Sequence, residues 1–349
     1  MPRVKRQPEK FDVLDLYTAV GRDRGYQIGE LAHIDDFLEL VRASLKSSHT
    51  NANLLHGKRI EALFAHVAGA LGECRFIKAE DAGEIFSTGD PIQPPDYRLI
   101  LKSGAQMLVE VKNFHSPSPT KPFVLKRSYF EMLKRYADLQ AVPLKIAVFF
   151  SKFNRWCLLS ERAFNSVEDH LEICFLEAVA KSEMVEIGDA WIGTLPELRL
   201  ELHADKDEAG PVSPDGSTLF TTRAVKLFCV GNELRDPMDK NIAFYLMRFG
   251  DWGEGESLAV IEDDKLVAIN LVSRPASMPD DQHFAMIGVL SSMISAAYAE
   301  QTVRERKPIA LDTKSDPEVF SARIPAEHHS AALPLWRFQL QPNWDFVVR

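Results

Sequence analysis

The run Leu144–Ser151, "LKIAVFFS", constrains the fold of this chain more than any other stretch. It is short, apolar from Ile146 to Phe150, and rich in β-branched and aromatic residues. Such a run reads as a buried central strand. "RWCLLS" just after it reads as a neighbouring strand, and "FVLKRSYFEMLKRYADLQA" before it as a helix stopped by Pro143. Upstream, "LLHGKRIEALFAHVAGALG" places Ile60, Leu63, Phe64, Val67, Ala68 and Leu71 on one helical stripe that ends at Gly72. "CRFIKAEDAGEIF" reads as extended with a bend at Gly83, and "PPDYRLILKSGAQMLVEVKN" as a hairpin of two apolar runs about a Ser-Gly turn. The order helix, three strands, helix, two strands makes this an α/β chain.

The flanks extend that frame. Residues 1–50 are expected to form an N-terminal helical extension with one or two short helices over 11–48, the clearer being "IDDFLELVRASL". The polar stretch "KSSHTNAN" should break it from the next helix. Residues 51–204 are read as the main domain, with "IGDAWIGTLPELRLELHAD" adding strands to it. "DKDEAGPVSPDG" (205–216) has no aromatic residue, two prolines and two glycines, which predicts a linker. Residues 217–349 then form a C-terminal α+β domain. Its expected elements are strands at "TRAVKLFCV", a hairpin about Asp263-Asp264, a helix over 282–300 and closing strands in "PLWRFQLQPNWDFVV".

Composition excludes several classes. With 46% apolar and 26% charged residues the chain is globular, not disordered. Cys74, Cys157, Cys174 and Cys229 are far apart with no Cys-x-x-Cys, as expected of core thiols in a reducing compartment. The N-terminal "MPRVKRQPEKF" is polar, with no secretory pattern behind it. The longest uncharged apolar stretch, Phe284–Ala299, is shorter than the ~20 residues of a membrane span. The expectation is a cytoplasmic protein. No Gly-rich phosphate loop and no Gly-x-Ser-x-Gly elbow appear, so any energy-driven step needs a partner.

The net charge of −9 disfavours nucleic acid, but its distribution is uneven. Between Lys121 and Arg155 there are eight basic residues and two acidic ones. Lys126, Arg127, Lys134 and Arg135 on the second helix are the candidates for touching a phosphate backbone. The plainer reading of the same run is a solvated helix face with Arg127–Glu131–Arg135 pairs. Residues 217–349 carry fourteen Lys/Arg and eighteen Asp/Glu. That balance fits contact with a protein partner or a second copy better than DNA reading.

The hairpin carries the chemistry. Side chains alternate along a strand, so Glu110 and Lys112 share one face while Val109 and Val111 point to the core. With a two-residue Ser103-Gly104 turn, Asp96 lies opposite Val111 and diagonal to Glu110. Two carboxylates held together repel unless a cation lies between them, and a hard divalent ion with oxygen ligands meets that need.

Pro95-Asp96, a thirteen-residue spacer, and Glu110-Val111-Lys112 resemble the motif of the PD-(D/E)xK, or restriction-endonuclease-like, nuclease superfamily. The element order over residues 54–160 is similar to the core of that superfamily. The resemblance implies a mixed sheet flanked by helices and Mg²⁺- or Mn²⁺-dependent hydrolysis of DNA phosphodiesters. It implies Asp96 and Glu110 as metal ligands, the Val111 carbonyl as a third, Glu61 of the first core helix as a fourth, and Lys112 as the catalytic lysine. A setting in restriction or anti-phage defence follows by analogy. The alternative is a non-catalytic nucleic-acid- or protein-binding scaffold on a nuclease-like fold. The Gln-x-x-x-Tyr feature of some members is not matched, since Tyr136 precedes Gln140. Tyr129, Met132 and Tyr136 read as packing, His115 as a loop bystander, and His328-His329 as a solvent pair.

Overall fold

The computed structural model describes residues 1–4, 8–9, 12–80, 83, 85–205, 207–253, 255–278, 281–325 and 328–348. The chain begins with two helices, α1 (Asp12–Arg24) and α2 (Leu31–Thr50). The polar stretch after them does not unwind as expected, because α2 runs on through Thr50 and only Asn51 separates it from α3 (Ala52–Leu71). Asn51 achieves this with its side chain, which accepts a hydrogen bond from the Leu54 amide (3.1 Å) and so caps α3. Gly72 closes α3 in the left-handed region at φ 91°.

Strands β1 (Cys74–Ala79), β2 (Tyr97–Leu101), β3 (Gln106–Phe114), β5 (Leu144–Phe150) and β6 (Arg155–Leu159) form one mixed sheet in the order β1-β2-β3-β5-β6. Only β3 and β5 run parallel. Residues 81, 82 and 84 of the expected extended stretch after β1 lie outside the described residues. The apolar stripe of α3 covers one face through Leu63, Phe64, Val67 and Ala68, packed with Met107, Val109 and Val111. Burial of each of the larger α3 side chains contributes about 2 kcal/mol. The other face is covered by α4 (Arg127–Leu139), whose Phe130 and Leu133 pack on Ile146, Val148 and Phe150. The all-apolar run is therefore central because both its faces are covered.

The expected helix from Phe123 begins late. Phe123–Lys126 is strand β4, which pairs with β8 (His170–Ile173), itself paired with β7 (Asn165–Val167). Its alternating burial, with Phe123 and Leu125 in and Val124 and Lys126 out, is a strand pattern that a helical count absorbs. A short helix α5 (Phe175–Ala180) follows.

Downstream, β9 (Trp191–Thr194) and β10 (Leu198–Ala204) do not extend the first sheet. β10 is central in a second, antiparallel sheet with β11 (Thr222–Cys229), β12 (Asn232–Leu234), β13 (Glu256–Glu262) and β14 (Lys265–Ser273), in the order β12-β11-β10-β14-β13. Residues 205–216, expected as a linker, join β10 to its sheet neighbour β11. A polar Pro/Gly stretch marks a surface turn and is silent on whether its flanking strands pair. Between β12 and β13 lies α6 (Pro237–Phe249), capped by Asp236.

The Asp263-Asp264 hairpin forms as read. The expected helix over 282–300 splits into β15 (Ala285–Val289) and α7 (Leu290–Thr302), and β16 (Val303–Arg304) pairs with β17 (Lys307–Pro308). Of the closing strands, β18 (Leu335–Phe338) forms, in a three-stranded sheet ordered β15-β9-β18. The core around α3 continues into this part through Ile192, Leu198, Leu227, Leu246, Ile294 and Tyr298. Polar contacts tie the same junction, Trp156 Nε1 donating to Ser295 Oγ at 3.0 Å. Among the described residues, no helix is long and apolar enough to cross a membrane.

Candidate active site

The hairpin that holds the motif closes differently from a two-residue turn. Lys102-Ser103-Gly104 form a three-residue loop: the Gly104 amide donates to the Leu101 carbonyl at 3.0 Å, and the Leu101 amide to the Ala105 carbonyl at 2.8 Å. Gly104 sits at φ 91°, the left-handed position such a loop ends on. The extra residue shifts the register by one, pairing Tyr97 with Val109. Asp96, one step beyond, therefore lines up with Glu110, not with Val111 as the shorter turn would have it. Residues directly opposite on one face hold their Cβ atoms roughly 4.5–5.5 Å apart, closer than diagonal neighbours.

Asp96 is fixed at that point by backbone contacts. Its Oδ2 accepts from the Val111 amide at 2.6 Å, and its carbonyl accepts from the Glu80 amide at 2.8 Å. The N–H and C=O of one residue leave a strand on the same side. The Val111 carbonyl is thus turned to the edge where Asp96 lies, past the last β2 partner. Glu110 is buried, at 3% exposure, on the α4 side of the sheet. Lys112, on the same face, makes an ion pair with it, and the Tyr129 hydroxyl of α4 donates to Glu110 Oε1 at 2.6 Å. The Lys112 ammonium lies 5.0 Å from the centre of the Tyr129 ring.

These placements crowd negative charge. Burial, and then the charge of Glu110, push the Asp96 carboxyl up to about 7, with Glu61 adding to the rise while the Val111 amide and Lys112 oppose it. Burial and the bond to Glu110 hold the Tyr129 phenol well above its ordinary value. Glu61, on α3, pairs with Lys58 at 2.6 Å, and its charge is felt by both Asp96 and Tyr129. Among the described residues, no group of three or more His, Cys, Asp or Glu side chains is gathered closely enough to hold a metal ion. The donor chemistry present is two crowded carboxylates and a backbone carbonyl, which suits a hard divalent cation of the Mg²⁺ class.

The basic helix face is more occupied than its sequence implies. Arg127 bonds to Ser166 and to the Glu168 carbonyl, Lys134 pairs with Glu161 at 2.7 Å, and Arg135 donates to the Pro91 carbonyl at 2.7 Å. Lys126 is exposed at the end of β4. The i, i+4 pairing of Arg127 and Arg135 with Glu131 is replaced by these longer-range contacts. Lys145, in the same window, is buried in an ion pair with Glu183.

Two residues read as packing do more. Tyr129 holds Glu110, and Tyr136 donates to Glu80 Oε1 at 2.9 Å. Glu80 also receives Arg98, which reaches Gln140, so Tyr136 and Gln140 meet over one ion pair beside the site. An amphipathic count puts both tyrosines near the core and cannot see their hydroxyls. Glu80 carries no sequence signal, lying in the acidic stretch that reads as extended with a bend at Gly83. His115 bonds to Ser151 at 2.9 Å. His328 is not solvated, since its buried ring faces Asp239 at 3.4 Å.

No protein-family model and no curated protein matches the chain. Among solved structures it is similar to Hjc of Archaeoglobus fulgidus, a Holliday junction resolvase, at 16% identity over 27% of this chain and 78% of that one, with a TM-score of 0.22. A likeness that faint assigns no family.

Proposed function

We propose that the chain is a metal-dependent nuclease that hydrolyses DNA phosphodiester bonds. The observation that carries this reading is the crowding of Asp96 against buried Glu110 beside Lys112, with an Asp96 carboxyl at about 7. A purely structural ion-pair cluster has no need of a second carboxylate held next to the first. Asp96, Glu110 and the Val111 carbonyl would hold a Mg²⁺ or Mn²⁺, and Glu61 of α3 would join them only by leaving Lys58, with which it pairs. A bound ion of this kind acidifies a water and neutralises charge on the phosphodiester.

The protein's own groups do the rest. Lys112 leaves Glu110 to hydrogen-bond the attacking water or the phosphoryl oxygen as charge develops there. Tyr129 keeps Glu110 in one rotamer when Lys112 moves, so the carboxylate stays aimed. Lys126 and the neighbouring helix surface present positive charge to the strand. The test is Mg²⁺-dependent cleavage of plasmid and oligonucleotide DNA by the purified chain. Loss of cleavage in Asp96→Ala, Glu110→Ala and Lys112→Ala is expected. Equal cutting by parent and Lys112→Ala protein would assign the activity to another site or a contaminant.

A further inference from the structure

The helix α2 is 20 residues long, about 30 Å by helical rise, yet its one buried side chain is Phe37, packed edge-on against Tyr17 of α1. Most of a helix's stability in a protein comes from packing of its apolar face, so a helix this little buried on its own chain leaves that face open. On its outer side Leu31, Ile34, Leu38, Val41 and Leu45 recur at alternating spacings of three and four. That alternation is the a/d spacing a coiled-coil seam uses. Leu31, Ile34, Leu38 and Leu45 are 78%, 41%, 51% and 57% exposed. A shallow groove lined by Leu38, Val41, Arg42, Leu45, Lys46 and His49 runs beside them.

We propose that a second copy of this chain covers the seam, α2 packing antiparallel on α2 about a two-fold axis. The flank of the seam selects that occupant. Asp35 and Arg42 stand one heptad apart on the same edge, each just past a seam residue. In an antiparallel pair Ile34 meets Leu45 of the other helix and Leu38 meets Val41. The same flanks then face each other, so Asp35 of each copy lies by Arg42 of the other. The seam is self-complementary, which is what a two-fold contact requires. A parallel pair would instead set Arg42 against the flank that holds Phe37, already buried, and match no charges.

Arg42 presently pairs with Glu39 of its own helix at 3.1 Å, an exposed contact exchanged at little cost. Val13, Leu14 and Leu16 of α1 are exposed as well.

The test is sedimentation velocity on the full chain over a concentration series, with circular dichroism and melting recorded for each variant. The parent should sediment as a dimer. Leu38→Asp should give a folded monomer, and Asp35→Arg or Arg42→Asp alone should weaken dimerisation about tenfold. The double variant Asp35→Arg/Arg42→Asp should recover the parent affinity to within about threefold, as a two-residue cycle requires. A parent that remains monomeric at high concentration overturns the proposal. So does a dimer indifferent to Leu38→Asp, or single charge reversals that the double variant fails to rescue.

Discussion

Replacing Asp96 with Asn should stabilise the protein, and by more at pH 8 than at pH 5. Burial, and then the charge of Glu110, raise the folded Asp96 carboxyl from its ordinary value of 3.8 to about 7. A carboxyl raised by folding holds its proton more tightly in the native state. Its contribution to stability is fully present below pH 3.8 and is lost as pH rises through about 7. The whole shift corresponds to about 4 kcal/mol, of which about 3 kcal/mol falls between pH 5 and pH 8. Asn carries no charge in either state, and its side-chain oxygen can accept the same Val111 amide. Urea unfolding of parent and variant at both pH values isolates the effect of the Asp96–Glu110 pair, since titrating groups away from it cancel in the difference. The variant should gain about 2–3 kcal/mol on the parent between pH 5 and 8, the lower figure allowing for screening at a partly exposed group. Added Mn²⁺ at pH 8 should raise the parent's midpoint and leave the variant's unmoved. A parent-to-variant difference that is the same at pH 5 and pH 8 would mean the two carboxylates are not crowded, and the case for a shared cation would go with it.

Glu110→Ala should cost about 2–4 kcal/mol in urea unfolding, because it leaves Lys112 and the Tyr129 hydroxyl without their buried acceptor, whereas Glu110→Gln should cost less. Tyr129→Phe should lower stability by only about 1 kcal/mol while reducing kcat more than KM, read by steady-state cleavage at saturating Mg²⁺. Neutralising Lys126, Arg127, Lys134 and Arg135 together should flatten the salt dependence of DNA binding by fewer than four counterions, since three of the four already hold protein partners. An unchanged slope by fluorescence anisotropy at two salt concentrations would move the DNA path elsewhere.

The sheet and its two covering helices were readable because periodicity reports burial directly. "LKIAVFF" could only be a central strand, and the α3 stripe from Ile60 to Leu71 could only face it. The motif residues were readable as a set, but their alignment was off by one. The deciding fact was whether Lys102 belonged to the turn, and a turn's length is written in backbone hydrogen bonds more than in residue identity. Phe123–Lys126 and Ala285–Val289 were lost inside helices for a related reason. A four- or five-residue strand that abuts a helix shares its apolar residues with the helical count. Tyr129 and Glu80 show a further gap, for their roles depend on partners about 19 and 56 residues away, at Glu110 and Tyr136.

The placement of β10 between β11 and β14 bears on how this protein could be divided or inherited. The strand is made from the first 204 residues, but both its hydrogen-bonding edges are satisfied by residues that come after them. β9 is likewise flanked by β15 and β18. A gene fragment ending at residue 204 would carry two strands with four open edges, a template for aggregation in place of a portable enzyme. A protease nick in 205–216 is a different matter. The two pieces would stay joined through those ladders, as a mortise holds without its pin, and would elute together until denaturant parted them.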